Sequence, residues 1–153
     1  MIKVGIAGYG TIGQRLADGV AMQEDMELVG IADLAPTLSI QALRERDMIG
    51  ANGVKYDLYL VDGADKAAFE AKDIPVAGSF DELCQKVDIM LDSAPGGVGA
   101  KNKENYYDKY GVKAIFQGGE KNSVADVFFH GYANYEKGVG QNYLKLTSCN
   151  TTG

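Results

Sequence analysis

The sequence contains 153 residues, of which 46% are hydrophobic and 24% are charged, and its formal net charge is −6 with a pI near 4.7. This length supports one soluble domain with its own core, and the apolar runs fall well short of the roughly 20 residues that a membrane span needs. The acidic balance argues against a nucleic-acid-binding surface, because binding phosphates requires clustered Lys and Arg side chains.

Short apolar runs rich in Val and Ile alternate along the chain with stretches long enough for helices. Runs that are apolar on consecutive residues are typical of parallel strands covered on both faces. The pattern predicts an α/β fold, a Rossmann-like doubly wound and mostly parallel sheet with helices on both faces. The four clearest predicted strands are Lys3–Ala7, Glu27–Ala32, Val87–Leu91 and Val112–Phe116.

The first strand leads directly into GYGTIG, which fits the dinucleotide-binding pattern G-x-G-x-x-G. Gly8 allows the tight turn from strand to helix, Gly10 lets the backbone approach a pyrophosphate, and Gly13 lets the helix pack closely on the strand. A glycine-rich turn without a ligand is the alternative. The preceding strand, the amphipathic stretch that follows and an acidic residue about 20 positions further on, Asp33, favour the dinucleotide site.

Asp33 stands at the predicted end of the second strand. A carboxylate there accepts hydrogen bonds from the adenosine ribose hydroxyls and repels a 2′-phosphate, and no Lys or Arg stands beside it, so this residue favours NAD over NADP. The alternative is that Asp33 only caps the turn that follows, as Asp often does ahead of a loop that contains proline.

The middle of the chain predicts shorter elements. We expect a helix over Thr37–Arg46, a strand in YDLYLV and a short helix in KAAFEAK. Ser79 followed three residues later by Glu82 predicts a capping box at the start of the next helix.

Two glycine-rich turns follow later predicted strands. DSAPGGVGAKNK contains Pro95 and Gly96, and FQGGEK contains Gly118 and Gly119. In an open doubly wound sheet, ligands lie at the carboxyl ends of the strands, so both turns are predicted to face the cofactor. The alternative is that these glycines serve only the connections between strands and helices, where they permit a positive φ. The spacing alone leaves both interpretations open.

Cys149 follows a predicted strand in NYLKLTS and precedes Asn150 and two threonines. Because Ser, Asn and Thr are preferred helix N-caps, its sulfur is predicted to lie at a helix N-terminus, which favours the thiolate. Beside a nicotinamide, a thiolate attacks an aldehyde, and hydride transfer from the hemithioacetal leaves a thioester. The alternative is a small buried side chain, which is the interpretation we prefer for Cys84.

Cysteine usage also bears on the compartment. Two cysteines are too few for a disulfide framework and fit a reducing compartment. No signal peptide precedes the first strand, so we expect a cytoplasmic protein.

GYGTIG, DSAPGGVGAKNK, KAIFQGGEK, ANYE and SCNTTG, in this order, resemble the amino-terminal half of archaeal-type (class II) phosphorylating glyceraldehyde-3-phosphate dehydrogenases. The resemblance covers essentially the whole chain. It implies that Cys149 is the catalytic nucleophile, that Ser148 and Asn150 contact the substrate, and that the backbone at Thr11 and Ile12 binds the pyrophosphate. It also places the QGG turn against the cofactor.

The resemblance implies a reversible reaction in glycolysis and gluconeogenesis, from D-glyceraldehyde 3-phosphate and phosphate to 1,3-bisphosphoglycerate, and a homotetramer for the full-length enzyme. NAD is the expected cofactor. NADP is the second option, because family members often carry Thr or Lys after the second strand, where this chain has Leu34.

Family members are about twice this length, and their general base is a histidine downstream of the cysteine. We therefore expect residues 1–153 to be the dinucleotide-binding domain, ending at the catalytic cysteine segment, without the catalytic domain and inactive alone. His130, upstream of Cys149, is interpreted as structural. The alternatives are a fragment of an acyl-phosphate reductase like aspartate-semialdehyde dehydrogenase, and a non-enzymatic nucleotide or redox sensor.

Overall fold

One parallel sheet runs through residues 1–45 and 57–146, the residues that this computed structural model describes. The strands within them are β1 (Ile2–Ala7), β2 (Met26–Asp33), β3 (Asp57–Leu60), β4 (Gly78–Ser79), β5 (Ile89–Asp92), β6 (Lys113–Phe116), β7 (Val127–Phe128) and β8 (Tyr143–Lys145). They are ordered β4-β3-β2-β1-β5-β6-β8-β7, and each pair of neighbours is parallel. The predicted Rossmann-like fold is confirmed.

Helices occupy most of the connections between the strands. The α-helices are α1 (Thr11–Ala21), α2 (Leu38–Glu45), α3 (Lys66–Glu70), α4 (Phe80–Cys84), α5 (Val98–Asn102), α6 (Asp108–Tyr110) and α7 (Tyr135–Gly138). A π-helical turn, Lys103–Tyr107, joins α5 to α6, and a 3-10 turn, Asn122–Val124, precedes β7. None of the helices in the described ranges is both long and apolar enough to cross a membrane.

Local signals in the sequence set several helix ends. The Ser79 hydroxyl accepts a hydrogen bond from the Glu82 N–H at 3.3 Å, and the Glu82 carboxylate accepts one from the Ser79 N–H at 2.7 Å. This confirms the predicted capping box. Asp65 caps α3 by accepting from the Ala67 N–H at 3.0 Å. After α6, the chain turns at Gly111 with a φ of +67°.

Each face of the sheet has its own hydrophobic core, because successive side chains of a strand point to opposite faces. In β1, Val4 and Ile6 pack into one core and Ala7 into the other. The first core contains buried side chains of three helices, Ala17, Val20, Ile40, Leu43 and Phe69. The second contains buried side chains from α4 and the π-helical turn, Phe80, Leu83, Cys84 and Tyr107. Helices therefore cover both faces, as predicted.

The direction of winding reverses beside β1. The chain places β2, β3 and β4 on one side of β1 and then returns to place β5 on the other side. The loops after β1 and β5 therefore leave the sheet in opposite directions and open a crevice at its carboxyl edge. In open α/β sheets, ligands bind in such a crevice.

Candidate functional site

The loop between β1 and α1 is shaped by glycine contacts. Gly8 has a φ of +85°, and a Cβ there would stand 3.3 Å from the Ala94 backbone nitrogen. A Cβ on Gly13 would stand only 1.9 Å from the Gly8 carbonyl oxygen, whereas one on Gly10 would meet nothing within 4 Å. The predicted turn at Gly8 and the predicted close packing at Gly13 are confirmed, and Gly10 borders open space.

The N-terminus of α1 opens onto this space. Gly10 is its N-cap residue and supplies no side-chain cap, and the first turn carries no acidic residue. Thr11 and Ile12, which begin the helix, are exposed. The first N–H groups of a helix lack intrahelical partners and carry partial positive charge, so this end of α1 suits an anion such as a pyrophosphate.

Asp33 lies at the end of β2 and joins two segments. Its Oδ2 accepts a hydrogen bond from the Tyr9 N–H at 2.8 Å, and its Oδ1 accepts one from the Leu34 N–H at 2.7 Å. The bond to Leu34 is the turn-capping role considered above, and the bond to Tyr9 fixes the glycine loop against β2. Each carboxylate oxygen can accept a second hydrogen bond. The capping role therefore leaves room for ribose hydroxyls.

A cleft of about 610 Å³ lies at the carboxyl ends of β1, β2, β3 and β5. Among the predicted cofactor residues, Gly8, Asp33 and Pro95 line it. Its walls are mostly apolar and include some polar side chains. The remaining lining residues are Ala7, Ala32, Leu34, Ala35, Thr37, Val61, Asp62, Phe80, Ala94, Val98, Lys101, Asn102, Asn105 and Tyr106.

Gly96 and Gly119 line a second cavity, of about 720 Å³, on the other side of α5. The loops that carry them pack backbone on backbone: a Cβ on Gly96 would stand 3.0 Å from the Gly119 carbonyl oxygen, and one on Gly118 would stand 2.3 Å from the Ala94 carbonyl oxygen. Close approach, rather than a positive φ, is thus what requires glycine at Gly96 and Gly118. Of the predicted glycines, Gly8 thus lines the first cavity, and Gly96 and Gly119 line the second.

A buried polar network that the sequence did not predict supports the loop after β5. Asp92, which is 2% exposed, accepts hydrogen bonds from the Tyr107 hydroxyl at 2.6 Å, the Asn102 amide at 2.9 Å and the Ala94 N–H at 3.0 Å. Burial, followed by the charge of Asp92, raises the pKa of Tyr107 well above its ordinary value. The one available signal was a carboxylate at the end of an apolar run.

Two further side chains connect the loops around the site. The Ser93 hydroxyl donates to the Gly8 carbonyl at 2.8 Å and approaches the Ala7 carbonyl at 3.1 Å. Glu120, which is 8% exposed, accepts from the Gly99 N–H at 2.8 Å and so holds the loop after β6 against α5. Ser93 belongs to the glycine-rich motif DSAPGGVGAKNK, and Glu120 belongs to FQGGEK.

Two of the remaining candidate side chains, Cys84 and His130, are among the described residues. Cys84 is buried, and burial followed by the charges of Asp81 and Asp92 raises the pKa of its thiol to about 12, which confirms the interpretation of a small buried side chain. His130 is exposed in the turn after β7, where its Nδ1 accepts from the Tyr132 N–H at 3.3 Å. The predicted substrate-site residues, Ser148, Cys149 and Asn150, lie outside the described residues.

Sequence comparison identifies close relatives. The chain is 45% identical over 152 residues to the glyceraldehyde-3-phosphate dehydrogenase of Archaeoglobus fulgidus, covering 99% of this chain and 42% of that protein. It is 46% identical over 153 residues to the enzyme of Methanobacterium bryantii, covering 100% and 43%. It is 47% identical over 152 residues to that of Thermococcus kodakarensis, covering 99% and 43%. The chain therefore spans less than half the length of these relatives. No family model matches it.

Proposed function

We propose that this chain, which is homologous along its length to the amino-terminal part of archaeal glyceraldehyde-3-phosphate dehydrogenases, is the part of such an enzyme that binds the nicotinamide dinucleotide. The whole enzyme would convert D-glyceraldehyde 3-phosphate, phosphate and NAD(P)⁺ to 1,3-bisphosphoglycerate and NAD(P)H. Residues 1–153 would form one domain, and the catalytic domain would correspond to the remaining length of the relatives. The homotetramer expected for the whole enzyme is part of the same proposal.

One juxtaposition carries the proposal. The open N-terminus of α1, the space beside Gly10 and the Asp33 carboxylate come together at the point where the sheet reverses its winding. This donor and acceptor set fits a dinucleotide: the N–H groups at Thr11 and Ile12 would hold the pyrophosphate, and Asp33 would accept from ribose hydroxyls. Around them, the predicted contacts are Gly8, Gly10, Gly13, Pro95, Gly96, Gly118 and Gly119.

The Asp33 carboxylate supports a preference for NAD. A 2′-phosphate would stand against a negative charge that is already fixed by the Tyr9 and Leu34 N–H groups. Leu34 supplies no compensating cation. Lys101 lines the same cleft, which keeps NADP as the second option.

Cys149 would be the nucleophile, with Ser148 and Asn150 binding the substrate. The Leu146 N–H donates to the Phe116 carbonyl at 2.9 Å, so the chain is at the carboxyl edge of the sheet there. Cys149 follows Leu146 by three residues in the sequence. Its thiolate would add to the aldehyde carbon, and phosphate would later displace it from the thioester. A bound nicotinamide would supply the hydride acceptor.

The test is a titration of NAD⁺ into the chain by calorimetry, with Gly10→Ala as the diagnostic variant. A Cβ on Gly10 meets no protein atom, so the variant folds normally but obstructs the pyrophosphate. We expect saturable binding by the unchanged chain, with a Kd below about 1 mM, and at least about tenfold weaker binding by the variant. Gly19→Ala, which also meets open space in α1, is the control. Absence of binding at millimolar NAD⁺, or equal binding by Gly10→Ala, would contradict the proposal.

A further inference from the structure

Two side chains that line the 610 Å³ cleft come from opposite halves of the sheet and contact each other. Asp62 follows β3 by two residues, and Tyr106 lies in the π-helical turn after α5. The Tyr106 hydroxyl donates a hydrogen bond to Asp62 Oδ2. Both residues line the cleft, together with Asp33.

The position of Tyr106 is fixed by its surroundings. Its ring packs edge-on against Phe80, with centroids 5.1 Å apart and planes 82° apart. The next residue, Tyr107, is anchored to the buried Asp92 carboxylate at 2.6 Å. Burial and the bond to Asp62 raise the pKa of Tyr106, so its hydroxyl remains a hydrogen-bond donor at neutral pH. The Asp62 carboxylate therefore has a well-packed hydrogen-bond partner in the cleft lining.

The cleft lining combines apolar side chains with the Asp62 carboxylate. Leu34, Val61 and Pro95 contribute apolar surface to this lining, which suits a flat ring. An ionised carboxylate only accepts hydrogen bonds and has about four acceptor sites, of which Tyr106 uses one. Asp62 therefore favours a ring substituent that donates a hydrogen bond and disfavours a carbonyl oxygen in the same place.

We propose that Asp62 accepts a hydrogen bond from the exocyclic amino group of the cofactor's purine ring, so that the cleft selects a 6-aminopurine over a 6-oxopurine. This inference rests on the proposed function, because it assumes that a dinucleotide occupies the cleft with its ribose at Asp33. It adds a specificity determinant to the site, and Tyr106 is the residue that positions it.

The experiment compares NAD⁺ with nicotinamide hypoxanthine dinucleotide, in which a carbonyl oxygen replaces the amino group. Dissociation constants of both are measured by calorimetry for the whole chain, Asp62→Asn, Tyr106→Phe and the control Asp57→Asn. Asp57 is exposed at the other end of β3, and its substitution changes the net charge equally. Circular dichroism checks the fold of each variant.

We expect the unchanged chain to bind NAD⁺ at least about tenfold more tightly than the hypoxanthine analogue, because a hydrogen bond to a charged group is among the stronger ones. Asp62→Asn should lose most of this preference, since its amide also donates; Tyr106→Phe should lose part, and Asp57→Asn none. Equal binding of the two dinucleotides by the unchanged chain overturns the inference and leaves the proposed function standing. Failure to bind either dinucleotide overturns both. If Asp62→Asn does not fold, the preference for NAD⁺ over the hypoxanthine analogue in the unchanged chain and in Tyr106→Phe tests the inference.

Discussion

The Gly8 carbonyl oxygen lies where the side chain of residue 13 would begin: a Cβ on Gly13 would stand 1.9 Å from it. Real Cβ atoms essentially never come closer than 3.0 Å to such a neighbour. The neighbour here is backbone at the end of β1, which cannot rotate away. Gly13 therefore sets the distance between α1 and the loop before it, and with it the position of the helix N-terminus.

Replacement of Gly13 by alanine should destabilise the chain by about 1–3 kcal/mol or more, as overpacking against a rigid neighbour does. Gly19 offers a matched control in the same helix, because a Cβ there meets nothing within 4 Å. Gly19→Ala should stabilise by about 0.5–1 kcal/mol, through helix propensity. Urea unfolding of both variants measures the two effects. Equal stabilities for the two would show that the contact has no energetic consequence.

Asp33→Ser should change cofactor preference. The substitution removes the negative charge that would oppose a 2′-phosphate, and it leaves a shorter, neutral acceptor for the ribose hydroxyls. We expect the ratio of the NADP⁺ and NAD⁺ dissociation constants to fall by about tenfold or more, which corresponds to about 1.4 kcal/mol. Calorimetric titration with both dinucleotides gives the ratio. An unchanged ratio would mean that the carboxylate acts only on the Tyr9 and Leu34 N–H groups.

Tyr107→Phe should cost about 1–3 kcal/mol of unfolding free energy, because it takes one donor from the buried Asp92 carboxylate. Tyr143→Phe is the matched control, since its hydroxyl donates at 2.7 Å to the more exposed Asp108. The control should lose less than Tyr107→Phe, and chemical denaturation compares the two. A larger loss of unfolding free energy in Tyr143→Phe would contradict the prediction that the buried Asp92 carboxylate depends more strongly on its hydrogen-bond donor.

The capping box of α4 should make stability depend on acid pH. Hydrogen bonds from the Ser79 backbone N–H and then its hydroxyl lower the pKa of Glu82 below its ordinary value of 4.5. A lowered folded-state pKa stabilises the fold above the unfolded-state pKa, and this contribution is lost as pH falls through the lowered value. Glu82→Gln cannot titrate, so its unfolding free energy should fall less steeply below about pH 4.5. If the unfolding free energies of the unchanged chain and Glu82→Gln fell equally with pH, the titration of Glu82 would make no contribution to stability.

Cys84 should resist thiol reagents in the folded chain. The side chain is 1% exposed, and with a pKa of about 12 its thiolate fraction near pH 8 is about one in 10⁴. In the variant Cys149→Ser, where Cys84 is the remaining cysteine, labelling by Ellman's reagent should proceed at the rate of unfolding and accelerate in urea. Labelling of this folded variant at the rate of a free thiol would contradict the buried position.

Long apolar runs predicted the central strands closely. The prediction for Val112–Phe116 differs from β6 by one residue, because a run buried on both faces gives a strong signal. The two-residue strands β4 and β7 were not predicted, since so short a run has no periodicity. The π-helical turn was also missed, because its spacing departs from the 3.6-residue period that identifies helices.

At the site, the sequence predicted the residues that are constrained locally. The turn at Gly8 and the close packing at Gly13 could be predicted because a turn from strand to helix has a short, fixed spacing. Asp62 and Tyr106 are 44 residues apart, and neither belongs to a motif. Their contact depends on which strands the fold places side by side, and that information is not local.

The position of β1 in the middle of the sheet has a consequence for biosynthesis. β1 pairs with β5 over Val4–Ala7, and the Lys3 N–H donates to Asp88, 85 residues later. At about 5–20 residues per second, a ribosome needs about 4–17 s to make the intervening segment. During that interval one edge of β1 has no strand to pair with, and an open edge can join another chain. The nascent chain should therefore depend on chaperones most strongly before residue 92 has emerged.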